Sequence, residues 1–191
     1  MTRLALLDRI RARIPSMMSI HEPSNSTGPS EHDWLEALLI GQIPMAEAMG
    51  LTLAELSPDG IRLAFPLGPN INDKGTAFGG AMSSAMILAG WSLPRLLLKR
   101  AGVSSDLVIG RCEIRFKAPV DGPFNAWCSW PAQDACEQFL EAVRSGRKAR
   151  LALQPEIHHD QQVAAVLEAV YTALPTQAGG KQVAPSTTPA R

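Results

Sequence analysis

The run Ala81–Leu98, AMSSAMILAGWSLPRLLL, constrains this chain more than any other stretch. Before Arg95 its polar side chains are Ser83, Ser84 and Ser92, besides the indole N–H of Trp91. A helix apolar on nearly every side belongs inside a protein, so the other segments must wrap around it. Directly before it stands Asn70-Ile71-Asn72-Asp73-Lys74-Gly75-Thr76-Ala77-Phe78-Gly79-Gly80, polar and glycine-rich, which reads as a loop. Such a loop brings polar groups to the first turn of a buried helix. Orphan N–H groups and the positive end of the helix dipole meet them there. That end can hold an anion or polarise a carbonyl oxygen, so chemistry is expected at this point.

By length alone the run would also span a membrane. Pro94, Gly90 and the serines argue against a span, as do the amphipathic strands that follow and need a helix to pack on. The 18 basic and 18 acidic residues balance, which removes the electrostatic case for binding nucleic acid. At 191 residues and 46% hydrophobic, the chain suits one domain with a full core plus tails. Cys112, Cys128 and Cys136 lack metal-ligand spacing, and their odd number suits reduced thiols in the cytoplasm. No metal and no redox cofactor are expected.

In order along the chain, Met1–Pro15 reads as a loose extension or a short basic amphipathic helix, and Ser16–Ser30 as linker. Thr176–Arg191 reads as a disordered tail. The folded domain is therefore expected over 31–175, between an extension at 1–30 and a tail at 176–191. Ser30-Glu31-His32-Asp33 resembles a capping box, with Gly41 as the helix end. Pro44 opens a second short helix and Gly50 stops it. Leu51–Leu56 and Ile61–Phe65 form a hairpin around Ser57-Pro58-Asp59-Gly60. Pro94 is expected to kink or split the central helix, and Gly102 to cap it.

Asp106–Lys117 alternates, with Val108, Cys112, Ile114 and Phe116 inward and Arg111, Glu113, Arg115 and Lys117 outward. Ala118–Pro123 interrupts it as a turn or bend before Phe124–Trp130. Gln133–Ser145 reads as a helix burying Cys136, Phe139, Leu140 and Val143. Arg147–Ile157 reads as one strand, His158–Gln161 as a turn, and Gln162–Leu174 as a last strand apolar on both faces. The pattern predicts an α+β fold in which an antiparallel sheet wraps one central helix.

That layout, with a glycine pair opening the helix, resembles the hotdog fold of acyl-thioester enzymes. More narrowly, Asn72–Gly80 resembles the thioesterase domain at the C-terminal end of YiiD-type acetyltransferases. Ile43-Pro44-Met45-Ala46, Met49-Gly50 and Arg115–Val120 fit it too, so the resemblance covers Trp34–Leu174. It implies hydrolysis of an acyl-CoA or acyl-carrier thioester by a homodimer or dimer of dimers, with the site between subunits. The common pattern has a histidine before the glycine pair and a carboxylate two turns into the helix. Here Phe78 holds the first place, and Ile87 and Leu88 the second, so the helix supplies neither acid nor base.

Asp73 is the loop's only carboxylate. It could activate water or take the acyl group, or it could serve as a turn or N-cap residue. Asn72 could orient water or shape the loop. The N–H of Gly80, or of Gly79, could donate to the thioester oxygen, and the pair could equally let the helix start tightly. Thr76 could donate its hydroxyl or cap the helix. Ser83 and Ser84 could reach the reacting centre or simply pack, and with Phe78, Thr76 and Gly79 they form the expected substrate-binding set. His158 and His159 read as exposed loop residues. Arg111, Arg115 and Lys117 form a solvated face or meet coenzyme A phosphates. A non-catalytic acyl-binding protein is the rival reading. An acyl-thioester dehydratase or hydratase ranks last, since no histidine falls in the loop or the helix.

Overall fold

The computed structural model describes residues 29–175. The readings of Met1–Pro15, of the linker up to residue 28 and of the tail from Thr176 lie outside the described residues. Helix α1 is Glu31–Gln42 and α2 is Pro44–Ala48. Strands β1 (Thr52–Leu56) and β2 (Gly60–Phe65) form the expected hairpin, and a single 3-10 turn spans Gly68–Asn70. The central helix α3 is Gly79–Arg100, followed by β3 (Asp106–Phe116) and β4 (Phe124–Ser129). Helix α4 (Gln133–Arg144), β5 (Ala149–Leu153), β6 (Glu156–His159) and β7 (Gln162–Leu174) complete the order.

The strands make one antiparallel sheet in the order β1-β2-β4-β6-β7-β3, with β5 also pairing β7. Helix α3 packs on β2, β3, β4 and β7, and Met86, Leu93, Leu96 and Leu98 on it are fully buried. Each such side chain contributes roughly 2 kcal/mol of transfer free energy, so the helix is the centre of the core. It is long and apolar enough to cross a membrane, yet 67% of its apolar window is buried inside this fold. It satisfies the α+β expectation as the rod that the sheet wraps.

Several local expectations need correction. Helix α1 does not stop at Gly41. It keeps its capping box at Ser30 and Asp33 but runs to Gln42, because Pro44 forces Ile43 into extended backbone (φ −124°, ψ 90°) and ends it there. Pro94 does not split α3, which is unbroken from Gly79 to Arg100. Proline in a helix interior costs about 3 kcal/mol. Here it is buried in the core, which offsets that loss.

Strand β3 does not bury the predicted face. The register shifts between Ile109 and Arg111, at Gly110, and the extra residue flips the phase. Leu107 and Ile109 turn half-inward with Ile114, while Val108 points out. As the edge strand, β3 leaves Cys112 and Phe116 exposed. Nor is 118–123 a bend within one strand. β3 pairs β7 whereas β4 pairs β2 and β6, so this connection crosses the sheet. Strand β7, read from the sequence as apolar on both faces, is covered on both within a single chain: Ala164, Ala165, Val166 and Leu167 are all buried.

Pro155 divides the expected strand 147–157 into β5 and β6, on which Leu151, Leu153 and Ile157 are buried. His158 and His159 lie in β6, not in a turn. The turn is Asp160–Gln161, both left-handed (φ 45° and 62°), which suits a two-residue hairpin. His159 is 13% exposed at the side chain and far from a bland loop residue. Its Nδ1 faces the Pro123 carbonyl at 3.0 Å and its Nε2 the Asp121 carboxylate at 2.9 Å, with an Asp160 oxygen at 3.5 Å. Both ring nitrogens face acceptors, so only the imidazolium satisfies them both. The bond to Asp121 pushes the His159 pKa above its ordinary value of 6.5.

The clasp therefore ties the 118–123 connection to β6 when His159 is charged. A raised folded pKa means that this stabilisation is complete below the unfolded value and is lost as pH climbs through the raised one. Thermal melts between roughly pH 6 and 8 should show the wild type losing stability with rising pH relative to His159→Gln. A matching slope in the two proteins would rule the clasp out.

A candidate active site at the start of the central helix

The loop before α3 is built by asparagines. Asn70 is buried, and its Nδ2 donates to the carbonyls of Met49 (2.8 Å) and Pro66 (2.7 Å). Its own backbone carbonyl accepts from Phe78 N at 2.7 Å. Ile71 and Ala77 bridge to close the loop. Within it, Asn72 Oδ1 accepts from the amides of Lys74 (2.8 Å) and Thr76 (3.2 Å). Its Nδ2 donates to Thr76 Oγ1 (2.9 Å) and to the Ala77 carbonyl (3.4 Å). Asn72 and Thr76 thus hold the loop's shape, helped by Gly75 at φ +80°. Ala77 N donates to the Val120 carbonyl at 2.7 Å, which ties the loop to the same connection that His159 clasps.

Asp73 stands at the loop tip, 82% exposed, with Lys74 Nζ at 3.2 Å. It does not cap α3. Phe78 occupies the N-cap position, and no side chain bonds the first turn. Met82 N reaches the Phe78 carbonyl, but the amides of Gly79, Gly80 and Ala81 have no acceptor among the described residues. Bare N–H groups at the positive end of a long helix are suited to an oxyanion.

Of the two glycines, Gly80 is the one that close packing of an aromatic ring requires, while a side chain at Gly79 would meet its ring at ordinary contact distance. A Cβ on Gly80 would lie 2.3 Å from the Phe78 ring, and one on Gly79 would lie 3.4 Å from the Phe116 ring. Phe78 and Phe116 are nonetheless 57% and 53% exposed. Ser83 and Ser84 donate to the carbonyls of Gly79 (2.7 Å) and Gly80 (2.9 Å), one turn back, so neither hydroxyl is poised as a nucleophile. Beside Gly80, Ala81 and Ser84 opens a groove of about 320 Å³, walled by Met45, Met49, Ile71 and Phe78, with Asn70 in its lining. The helix start, Phe78, Gly80 and Ser84 therefore come together, while Asp73 lies apart from this groove in the single chain.

Sequence reasoning named Asn70, Met45 and Met49 but gave them no place in the site. The signal available was the Met45/Met49 pair at helical spacing, one in α2 and the other at its C-cap. The basic face of β3 is laced with carboxylates: Arg111 lies 3.7 Å from Glu113, and Arg115 pairs with Glu168. A larger cavity, about 810 Å³, sits at the opposite end of α3. Its Arg100 is held by Glu31 at 2.8 Å and stacks on Trp130.

The family model described as "Putative thioesterase (yiiD_Cterm)" matches residues 32–175. The chain belongs to the YiiD C-terminal thioesterase family. Among solved structures, a Shewanella oneidensis protein described as a "putative thioesterase" is 27% identical, with a TM-score of 0.69 over 75% of this chain and 97% of its own. A Chlorobaculum tepidum protein of unknown function is also 27% identical, with a TM-score of 0.72 over 75% of this chain and 93% of its own. A Pseudomonas aeruginosa protein described as a "probable thioesterase" is 24% identical, with a TM-score of 0.62 over 78% and 98%. This last likeness bears on the fold alone. The YiiD C-terminal family thus takes here the hotdog form that the resemblance implies, with Gly80 of its loop lining the groove.

Proposed function

We propose that this chain hydrolyses acyl thioesters of coenzyme A or of a pantetheine-bearing carrier protein. The observation that carries this reading is the set of bare amides at Gly79, Gly80 and Ala81 beside an apolar groove. The thioester carbonyl oxygen accepts from the Gly80 amide and its neighbours while the acyl chain enters the groove. Water adds to the carbonyl carbon as Asp73 takes its proton. The tetrahedral oxyanion is held by the amides, and it collapses with loss of the thiolate, which picks up a proton. A preorganised donor of this kind lowers the barrier by about 3 kcal/mol.

In this reading Asp73 reaches the thioester in a homodimer, where a second copy covers the edge strand β3 and the exposed rings of Phe78 and Phe116. The high exposure of Asp73, with Lys74 as its partner, supports a role outside its own subunit. Asn72 and Thr76 hold the loop that carries it. Cys112, Cys128 and Cys136 are free thiols, in keeping with a cytoplasmic protein. Residues 31–175 carry the activity.

Thiol release from a panel of acyl-CoAs by the purified full chain tests the proposal. Turnover that depends on chain length is expected. A dimer that releases no thiol from any of them would refute it. Gly80→Ala adds a methyl group that drives the Phe78 ring away from the helix start, and turnover should fall about tenfold while the fold stays intact. The alternative is a non-catalytic acyl-binding protein, favoured by Phe78 in the place of a histidine. Acyl-CoA bound without thiol release would support it.

A further inference from the structure

The bond from Ala77 N to the Val120 carbonyl, 2.7 Å, is where the loop before α3 meets the 118–123 connection. The start of that connection is tied to β7, since the amides of Lys117 and Ala118 both donate to the Ala164 carbonyl. Val120 is fully buried, and Phe124 enters β4. Between those two anchors, no backbone hydrogen bond ties Asp121 or Gly122 to another element among the described residues. His159 does so instead. Its ring meets the Asp121 carboxylate at Nε2 and the Pro123 carbonyl at Nδ1, one on each side of Gly122. A Cβ on Gly122 would lie 2.9 Å from His159 Cε1, so the ring rests directly against that backbone. The Val120 carbonyl and the Asp121 nitrogen belong to one planar peptide. A tilt of Asp121 therefore turns the carbonyl to which Ala77 donates.

We infer that His159 is a positioning residue for the loop at the start of α3, holding it through the Val120 carbonyl and relaxing that hold when the ring loses its proton. This rests on the thioesterase reading above and deepens it, by adding a proton-dependent control to the same site. The charged groups facing the ring are both acidic, Asp121 on the connection and Asp160 on the turn after β6. Gln162, its partner on β7, is neutral. The imidazolium donates to both sides of Gly122 at once, whereas the neutral ring has one donor and leaves one acceptor without it. Ala77 is buried, bridges Ile71 across the loop and stands two residues ahead of Gly79. Weakening its bond to Val120 loosens the loop that carries Asn72 and Asp73 and leads into the bare amides. Small displacements of this kind slow a reaction because the reacting groups lose their alignment. The site is therefore best ordered in mild acid and loosens as pH rises.

Amide hydrogen exchange followed by NMR on the full chain tests this without any substrate. Between roughly pH 6 and 8, corrected for the intrinsic rate, protection of the Ala77 amide should fall about fivefold or more. That fall is read relative to the amide of Ala89, buried in the middle of α3, so that a general loss of stability is not mistaken for it. In His159→Gln the relative protection should be low and level across the window. With acyl-CoA, the ratio of wild-type to His159→Gln kcat/KM should be largest in mild acid and decline toward unity as pH rises. Relative protection of Ala77 that stays level in the wild type overturns the inference, even where the variant does not fold. So does the same change in both proteins, and so do kcat/KM profiles that run parallel. Proton-dependent protection without thiol release from any acyl-CoA would sink the hydrolase reading and leave the hold of His159 on the loop standing.

Discussion

Asp73→Ala is expected to lower thioester turnover about a hundredfold or more while leaving the melting temperature unchanged. Loss of a general base typically removes two to four orders of magnitude. Nothing in the fold depends on this carboxylate, since it is 82% exposed and its ion pair with Lys74 is solvated on both sides. Exposed pairs of this kind contribute about 0–1 kcal/mol. Any large fall in rate is therefore a loss of chemistry. Circular dichroism and a thermal melt alongside the kinetics make the separation. Full activity in Asp73→Ala would take Asp73 out of the mechanism and leave the helix amides as the whole of the catalytic apparatus.

Gly90→Ala should destabilise the protein by about 3 kcal/mol, a fall in Tm of roughly 6–12 °C. Here α3 passes against β7. A Cβ at Gly90 would lie 2.3 Å from the Tyr171 hydroxyl and 2.8 Å from both Pro155 Cγ and Tyr171 Cε2. Tyr171 is fully buried, and its hydroxyl donates to the Ile87 carbonyl at 3.0 Å, so the ring has no solvent to move into. The added methyl breaks that bond or pushes the helix off the sheet. Gly41→Ala is the control. Nothing lies within 4 Å of its Cβ position inside α1, so it should stabilise by about 0.5–1 kcal/mol. Equal melting of Gly90→Ala and wild type would show that α3 does not press on Tyr171.

The features legible in the sequence are those set by local chemistry. Ser30 and Asp33 announce their capping box, Pro58 and Gly60 their turn, and an apolar run its place at the centre. What was hidden depended on a single residue with long-range consequences. Gly110 inserts one position into β3 and so exchanges Val108 for Leu107 and Ile109 on the inner face. No periodicity argument sees a bulge before the partner strand is known. Pro155 marks a break that a smooth alternation from Arg147 to Ile157 conceals. His159 looked like a loop residue because its partners, Asp121 and Pro123, lie about 40 positions earlier. At the site, the loop and the glycine pair were readable from their string. The Asn72 and Thr76 network was not, since side-chain bonds within a loop leave no mark on spacing. Asn70 escaped notice because its amide braces the carbonyls of Met49 and Pro66, which come together only in three dimensions.

The bare first turn of α3 has a thermodynamic side. A serine, threonine or aspartate ahead of a helix is worth about 1 kcal/mol over a residue that cannot cap it, and this chain places Phe78 there instead. The fold is thus held below the stability its own architecture permits, at the one end of the helix where a guest oxygen could make up the difference. Occupancy and folding are then linked quantities. A molecule lodged against those amides raises the melting point in proportion to the logarithm of its concentration over its dissociation constant. The protein would report its natural ligand through heat resistance even where no product is ever seen.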